Sequence, residues 1–314
     1  MVEQQQSFLN SLWSMTTDLC HQAQIPLYRE TNDPRIFTYP QKLCLYLYML
    51  KRKLTLRDLV DELKNNAIVR YLGLRRIPNF STLSYFIKTL PEQFLALMFN
   101  ALDKTLPKSR KIIIDSTGLE CSYPSHYYCF RRDKPVDGFI TLHALIDQEH
   151  GHFRNFIITE NKHHDSVMLQ PLVEGLGEDK IEILFGDRGY DAEENCRFLI
   201  EKKNCLPLIL QKNMLKPVEN CKGEYRLAIR EVFDYGEYLK RNKIEAIFSA
   251  LKRKYGSWLR TRSIDSQKKE LRIKVILFNM ERKITMVIII IVDNYFSTKP
   301  NITILKSLMF LSVL

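Results

Sequence analysis

Two aspartates in the sequence each follow a short apolar run that predicts a buried strand. Asp115 comes directly after the run 111–114, and Asp187 comes directly after the run 181–186. An acid in this position is costly unless it is solvated, hydrogen-bonded or bound to a metal ion. The carboxyl ends of neighbouring strands in an open α/β sheet face one crevice, so we expect both carboxylates there. One such acid is usually a turn or cap residue, but two of them, each followed by small or turn residues, favour a shared metal site.

A third acid lies in a predicted helix with regularly spaced polar residues. Tyr238, Arg241, Glu245 and Lys252 fall at offsets of 0, 3, 7 and 14 residues. At about 3.6 residues per turn, a continuous helix places all four side chains within a sector of about 60°. One stripe then carries an aromatic hydroxyl, two cations and a single acid. The alternative is a solvated face of mixed charge, which is the usual meaning of such a pattern.

Positive charge is concentrated around this helix. The chain has 47 Lys and Arg against 36 Asp and Glu, a net charge of +11, and residues 238–283 hold 14 of the cations against 4 acids. Such a balance points to a polyanionic partner, either nucleic acid or an anionic membrane surface. A merely basic soluble protein is the alternative for the chain as a whole. Within 238–283 the high density of positive charge favours a phosphate-binding surface, with Glu245 as a lone acid beside it.

The region before these motifs predicts helices only, over residues 1–109. Thr55 and Asp58 have the spacing of a capping box, Gly73 can end the next short helix, and Asn79 can begin another. Basic residues lie close to this helix, turn and helix, so the segment could place a helix on DNA. A small helical bundle with a solvated basic face is equally compatible with the pattern.

From residue 111 the pattern changes to strands alternating with helices. The turn residues 147–151 join the second and third strands as a hairpin. A hairpin followed by alternating units predicts an α/β fold, in which a mixed sheet has helices on both faces. The predicted strands are 111–115, 138–146, 152–159, 181–186 and 205–210; the predicted helices are 165–176, 191–203, a stretch from about 238 broken near Gly256, and 266–283, with 212–237 irregular.

Other polar residues have simpler interpretations. The seven cysteines include no C-x-x-C pair, which indicates reduced thiols of a cytoplasmic protein rather than disulfides or a zinc ribbon. Asp165 is interpreted as a helix N-cap and Trp258 as a buried packing residue, although its ring could stack on a base. Turn or cap roles are assigned to the histidines His150, His152, His163 and His164, and surface pairing to Asp133 and Asp137. Neither a signal peptide nor a membrane span is predicted, because the longest apolar run, 286–292, is far below about 20 residues.

Taken together, these motifs resemble the transposase domain of insertion sequences of the family four and family five groups. The resemblance lies in Asp115, in Asp187-Arg188-Gly189-Tyr190, and in Tyr238, Arg241, Glu245 and Lys252 at the same gaps. Residues 56–59 and 77–83 are similar to the N-terminal region of that group. The resemblance covers residues 35–280 and leaves the apolar tail after residue 283 without a counterpart.

Several properties are implied by this resemblance. The fold is expected to be ribonuclease H-like, with a five-stranded mixed sheet. Asp115, Asp187 and Glu245 are expected to hold two Mg²⁺ ions, with Mn²⁺ as a substitute, and to catalyse attack on DNA by water and then by a DNA 3′-hydroxyl. The DNA-contacting side chains are expected to be Tyr238, Arg241, Lys252 and Arg188. The expected partners are double-stranded DNA and a second copy of the chain in the DNA complex, without a membrane.

The sequence therefore predicts an insertion-sequence transposase that cleaves DNA and transfers the strand. The expected organisation is a helical DNA-binding domain at 1–109, a catalytic domain at 110–283 and an apolar tail of unknown role at 284–314. Two alternatives stay open at this point. One is a ribonuclease H-like nuclease without strand transfer, and the other is an inactive DNA-binding remnant, against which the intact acidic set argues.

Overall fold

In the part of the chain that the structure describes, six helices precede the first strand, as the helical periodicity of residues 1–109 predicts. A computed structural model of the chain describes residues 2–29, 35–64, 68–121, 139–160, 164–212, 214 and 222–297. The six helices are α1 (Val2–Gln22), α2 (Tyr39–Arg52), α3 (Leu56–Lys64), α4 (Ile68–Tyr71), α5 (Phe80–Thr89) and α6 (Glu92–Asp103).

The helix boundaries follow the predicted capping residues. The Thr55 backbone N–H donates to the Asp58 carboxylate, and the Asp58 N–H donates to the Thr55 hydroxyl, at 3.0 and 3.2 Å. Gly73 adopts φ of +61° just after α4, a conformation that glycine adopts without strain. The Asn79 side chain accepts from the Ser81 N–H at 3.1 Å and begins α5. These three sequence predictions are confirmed, whereas the DNA-binding role of the segment stays a prediction.

A mixed sheet follows the helices and confirms the predicted α/β class. Its strands are β1 (Lys111–Cys121), β2 (Phe139–Asp147), β3 (Phe153–Glu160), β4 (Ile183–Gly186), β5 (Leu206–Ile209) and β6 (Trp258–Leu259). The strand order is β3-β2-β1-β4-β5, and β6 pairs with the far end of β1. The pairs β1–β2 and β2–β3 are antiparallel, and the pairs of β1 with β4, β4 with β5 and β1 with β6 are parallel. The predicted hairpin is confirmed, but the sheet has a sixth strand that the sequence did not predict.

The remaining helices differ from the sequence prediction mainly after residue 222. They are α7 (Asp165–Glu174), α8 (Glu193–Arg197) with a π-helical continuation (Phe198–Lys202), α9 (Glu224–Glu231), α10 (Tyr235–Tyr238), α11 (Lys243–Tyr255) and α12 (Ile264–Ser297), with 3-10 turns at Arg188–Tyr190 and Leu239–Asn242. The segment predicted to be irregular thus contains two short helices. The break at Gly256 is confirmed, and α12 is longer at both ends than predicted, so that residues 284–297 of the expected tail are helical. Residues 298–314, together with Asp133, Asp137 and His163, lie outside the described residues.

The two faces of the sheet bury different sets of helices. Ile112 and Ile114 face α7 and its apolar residues, whereas Ile113 belongs to a core shared with the N-terminal helices, α11 and α12. Helix α12 contacts α1, α2, α5 and α6 as well as β3. The helical region and one face of the sheet therefore share a continuous apolar core. None of the helices within the described ranges combines the length and apolarity that crossing a bilayer requires.

A buried arginine joins three parts of the fold. The Arg154 guanidinium lies within 3.3 Å of the Asp103 carboxylate on α6, 3.4 Å of Asp147 on β2 and 2.6 Å of Asp179 before β4. Arg154 and Asp147 are buried. A charge removed from water is tolerated when it is paired and hydrogen-bonded, and its partner becomes destabilising when it is left alone.

We predict that Arg154→Met lowers the free energy of unfolding by about 3–5 kcal/mol, because it leaves the buried Asp147 carboxylate without its guanidinium. Urea unfolding followed by circular dichroism measures the change. Arg110→Met is the matched control, because Arg110 pairs with Glu182 on the surface, and an exposed pair contributes about 0–1 kcal/mol. Equal losses for the two variants would contradict a special role for Arg154.

Candidate active site

Strands β1 and β4 bring the two predicted aspartates to the same edge of the sheet. The parallel pairing of these strands ends at Ile113 and Phe185. Asp115 comes two residues after this point and Asp187 comes directly after β4. Asp115 does not end its strand as predicted, because β1 continues to Cys121 with only β2 and then β6 beside it. The site therefore lies where the parallel partner stops and β1 goes on.

The Asp187 carboxylate is fixed by the turn that follows it. Its Oδ1 accepts from the Gly189 N–H at 2.8 Å, which caps the 3-10 turn Arg188–Tyr190. A Cβ atom on Gly189 would stand 2.9 Å from this Oδ1 and 3.3 Å from the Asp165 Oδ2. A side chain at this position would therefore displace the Asp187 carboxylate, whereas the backbone conformation itself does not favour glycine.

Arg241 joins the other two predicted acids. Its Nη1 lies 3.1 Å from the Asp115 Oδ2, and its Nη2 lies 3.2 Å from the Glu245 Oε1. Arg241 belongs to the 3-10 turn before α11 and Glu245 to the first turn of α11, so the second contact is an i,i+4 pair. One guanidinium thereby bridges two carboxylates that come from the sheet and from a helix far along the chain.

Burial and charge set the protonation behaviour of Asp115. Its side chain is 18% exposed, whereas that of Glu245 is 63% exposed. Burial raises the pKa of the Asp115 carboxyl to about 6, and the charges of Asp187 and Asp165 contribute to this rise. The Ser116 N–H and the Arg241 guanidinium act in the opposite direction. Burial therefore outweighs these two interactions and favours the neutral form of the carboxyl more than water does.

An open cleft of about 630 Å³ lies over the joined carboxylates. Its lining residues combine acids, hydroxyls and cations: Asp115, Ser116, Thr117, Glu245, Phe248, Ser249, Lys252, Arg253 and Ser257. Lys252 and Arg253 place positive charge on the α11 side of this cleft. The arrangement can bind a phosphate group next to carboxylates, which is what phosphoryl transfer requires.

Trp258 stands beside this cleft with its ring in solvent. The side chain is 51% exposed, so the predicted buried packing role is wrong. Its backbone is nevertheless held, because the buried Lys274 Nζ donates to the Trp258 carbonyl at 2.8 Å. Lys274 also pairs with the buried Glu270, whose carboxylate accepts from the backbone N–H groups of Arg260 and Thr261.

The other predicted DNA-contacting residues differ in their exposure. Tyr238 is 6% exposed and packs against Phe233, with ring centroids 5.4 Å apart, so its ring is buried, and its hydroxyl lies close to the Arg241 guanidinium. Arg188 is exposed at the turn after Asp187. The predicted continuous helix is interrupted, since a 3-10 turn separates Tyr238 from α11. The shared stripe of side chains therefore begins at Arg241.

The site contains an acid and a histidine that sequence reasoning did not assign to it. Asp165 is the first residue of α7 and not its N-cap, which is His164. Its Oδ1 lies 3.4 Å from Nδ1 of the buried His143, whose Nε2 is 3.1 Å from the Thr159 hydroxyl. His150 has the predicted turn role, because it donates to Asp147, whereas His152 is buried. The pairing of β1 with β2 places His143 opposite Ser116, and α7 packs against β2 and brings Asp165 to it, so no local spacing could have indicated this contact.

The donor set has the chemistry of a divalent cation site. Asp115, Asp187 and Glu245 offer only carboxylate oxygens, which suit a hard cation such as Mg²⁺. In the conformation described here, the single positive charge of Arg241 lies between two of them. Among the described residues, no three His, Cys, Asp or Glu side chains are close enough together to hold a metal ion. The donors therefore fit a metal chemically, and closing the site around one requires Glu245 and Arg241 to rearrange.

Comparison with known proteins identifies the family. Residues 106–280 match the model of the transposase DDE domain, and this range contains all three predicted acids. The chain belongs to the DDE transposase family. The match covers more than half of the chain and ends within α12, so the domain includes the helix that packs the sheet against the N-terminal helices. Membership implies transposase activity and an enzyme that transfers nucleotidyl groups.

One solved transposase structure is partly similar to the chain. The chain resembles the cryo-EM structure of a piggyBac transposase synaptic complex with hairpin DNA, with 10% sequence identity and a TM-score of 0.48. The similarity covers 88% of this chain and 73% of that one. No curated protein matches the sequence.

We predict that Gly189→Ala slows DNA cleavage by this transposase by on the order of tenfold to a hundredfold, because a methyl group displaces the Asp187 carboxylate from its position. The rate is measured on DNA that carries the element end, and thermal unfolding is measured in parallel. Gly236→Ala is the control, since a Cβ there meets only the Asp234 side chain, at 3.2 Å. Unchanged cleavage by Gly189→Ala would contradict a catalytic position for Asp187.

Proposed function

We propose that this protein is the transposase of a prokaryotic insertion sequence, which cuts double-stranded DNA at the element ends and joins it to a target with Mg²⁺. One observation carries the proposal: Arg241 holds Asp115 and Glu245 in one cleft although Asp115 is 126 residues away from Arg241 in the sequence. Asp187 lies at the same sheet edge. Membership of the DDE transposase family supports the assignment of these three acids as the catalytic set.

The charged residues in and around the cleft each have a role in this proposal. When bound, two divalent ions supply activation of the attacking oxygen and stabilisation of the leaving oxygen, and Mn²⁺ can replace Mg²⁺. Asp115, Asp187 and Glu245 would hold these ions. Lys252 and Arg253 would bind the DNA backbone as it crosses the cleft, with Arg188 on the Asp187 side. Arg241 would bind a phosphate through both of its Nη atoms once it leaves the carboxylates.

DNA contacts beyond the cleft extend the proposal. The basic residues near α5 are proposed to bind DNA, which makes the N-terminal helices a DNA-binding region. Both ends of an element must be brought together, so a homodimer in the DNA complex is proposed. The exposed Trp258 ring offers a flat surface on which a base could stack at the edge of the cleft.

We expect Asp115→Asn, Asp187→Asn and Glu245→Gln each to abolish cleavage while DNA binding persists, because each removes a metal ligand and leaves the basic surface intact. The substrate is a duplex with the inverted repeat that flanks the coding region. Cleavage and joining are followed on gels with Mg²⁺, and binding is followed by fluorescence anisotropy. Asp265→Asn, an exposed acid of α12, is the control for the change of charge.

The same assay separates the alternatives. Cleavage without joined product would favour a nuclease, and binding without cleavage by the unaltered protein would favour an inactive remnant. Cleavage at the normal rate by any one of the three variants would remove that residue from the proposed site.

A proton and a metal ion compete for Asp115, which makes metal binding dependent on pH. Because the pKa of this carboxyl is raised to about 6, it is largely protonated below that pH and must lose its proton to bind a metal. We expect the affinity for Mn²⁺ to be nearly constant above the pKa and to fall below it by about tenfold per pH unit. Titration calorimetry without DNA measures this dependence. The Mn²⁺ affinity of the Asp115→Asn variant should not fall in this way below about pH 6. A flat profile down to pH 5 would contradict a role for Asp115 in metal binding.

A further inference from the structure

We propose that Arg241 occupies the place of a metal ion between Asp115 and Glu245, and that it must leave these acids before a divalent cation can bind. DNA would promote this departure by offering a phosphate in exchange. Metal binding and DNA binding would therefore favour each other. The inference rests on the proposed function, because it assumes that these acids are metal ligands.

The geometry of the bridge supports a placeholder role. The planar guanidinium reaches one carboxylate with each Nη atom, at 3.1 and 3.2 Å. Its side chain is 16% exposed, and the Nε atom has no hydrogen-bond partner among the described residues. The polar contacts of the guanidinium with charged groups are thus directed at the two acids that the metal would need. A single positive charge held in this way offsets the repulsion between the carboxylates.

Competition follows from charge and from the acceptor atoms. A divalent ion would be held by the same two carboxylates to which Arg241 now donates. With the guanidinium in place, these atoms are occupied and the positive charge repels a second cation at short range. Removal of this charge should therefore raise the affinity of the protein for a divalent ion.

The surrounding structure holds Asp115 more firmly than it holds Glu245 and Arg241. Asp115 is held in the middle of β1 by β2 and by the Ser116 N–H, whereas Glu245 is largely exposed on the first turn of α11. Rearrangement is therefore expected in Arg241 and Glu245, with Asp115 as the fixed point. The resulting movement is a local change of side chains and leaves the sheet unchanged.

A phosphate group in the cleft provides the exchange partner. Lys252 and Arg253 line the same cleft as Asp115 and Glu245 and attract DNA there. Arginine binds a phosphate through two parallel N–H···O bonds, so the guanidinium can move from the carboxylates to the backbone without loss of its hydrogen bonds. By thermodynamic linkage, DNA that binds Arg241 must raise metal affinity by the same factor by which metal raises DNA affinity.

Calorimetric titration of the full-length, metal-free protein with Mn²⁺ tests the inference. Without DNA, Arg241→Gln is expected to bind Mn²⁺ about tenfold more tightly than the unaltered protein, because the competing charge is absent and the length of the side chain is similar. Lys252→Gln is the matched control, since Lys252 lines the cleft and forms no ion pair with these acids among the described contacts; a much smaller effect is expected. Circular dichroism and thermal unfolding establish that each variant is folded.

A second titration tests the coupling to DNA. A duplex that stops at the element terminus has no bond to cut, so Mn²⁺ affinity can be measured in its presence. This duplex should tighten Mn²⁺ binding to the unaltered protein and have little effect on Arg241→Gln. The Arg241→Lys variant keeps the charge but cannot bridge two carboxylates in one plane. The duplex should therefore tighten its Mn²⁺ binding less than that of the unaltered protein and more than that of Arg241→Gln.

The outcomes distinguish the inference from the proposed function. If Asp115→Asn leaves Mn²⁺ affinity unchanged, the metal site is elsewhere and the proposed function loses its basis. A second outcome is that Asp115→Asn weakens Mn²⁺ binding while Arg241→Gln leaves Mn²⁺ affinity unchanged or lowers it. In that case the metal site stands and the placeholder role is overturned, because Arg241 then organises the acids for the metal. Tighter binding by Arg241→Gln together with loss of the DNA effect supports the inference.

Discussion

A partly buried carboxylate in the middle of a strand needs hydrogen bonds or a counter-charge to stay ionised, and this requirement governs the arrangement around Asp115. The Asp115 side chain is only 18% exposed, and burial raises its pKa. The 3-10 turn before α11 carries a positive group to this point. Arg241 donates to Asp115 and also to Glu245, so the group that offsets the charge of one acid brings a second acid beside it.

The position of α11 depends in turn on the core behind it. Its buried side chains lie in the same apolar cluster as α12 and the N-terminal helices. The buried pair of Glu270 and Lys274 holds the chain after Gly256 through backbone contacts, and this chain forms β6 against the far end of β1. The acids of the site are thus separated in sequence but are supported by one continuous core, with the helical region as part of that support.

Local patterns predicted much of this structure, and contacts distant in sequence account for most of what was missed. Short apolar runs, turn residues and caps predicted the helices before β1, the hairpin and the central strands, because each depends on a few adjacent residues. The two-residue β6 has no such signal, since it exists only because β1 extends past β4. Packing of distant elements also accounts for three other features. Asp165 lies close to Asp187 and pairs with His143, and Trp258 is exposed. The three acids were predicted individually, whereas the guanidinium bridge between two of them was not.

The register of β1 against β2 places Ala144 directly opposite Asp115, several residue pairs before the two strands reach the connection between them. The alignment of the acid is therefore determined by the paired residues on both sides of it, and the length of the connection at 122–138 is not part of that alignment. Insertions or deletions in this connection leave the paired residues on both sides of Asp115 unchanged. Natural variation and engineered fusions in a protein of this architecture should accumulate preferentially between β1 and β2.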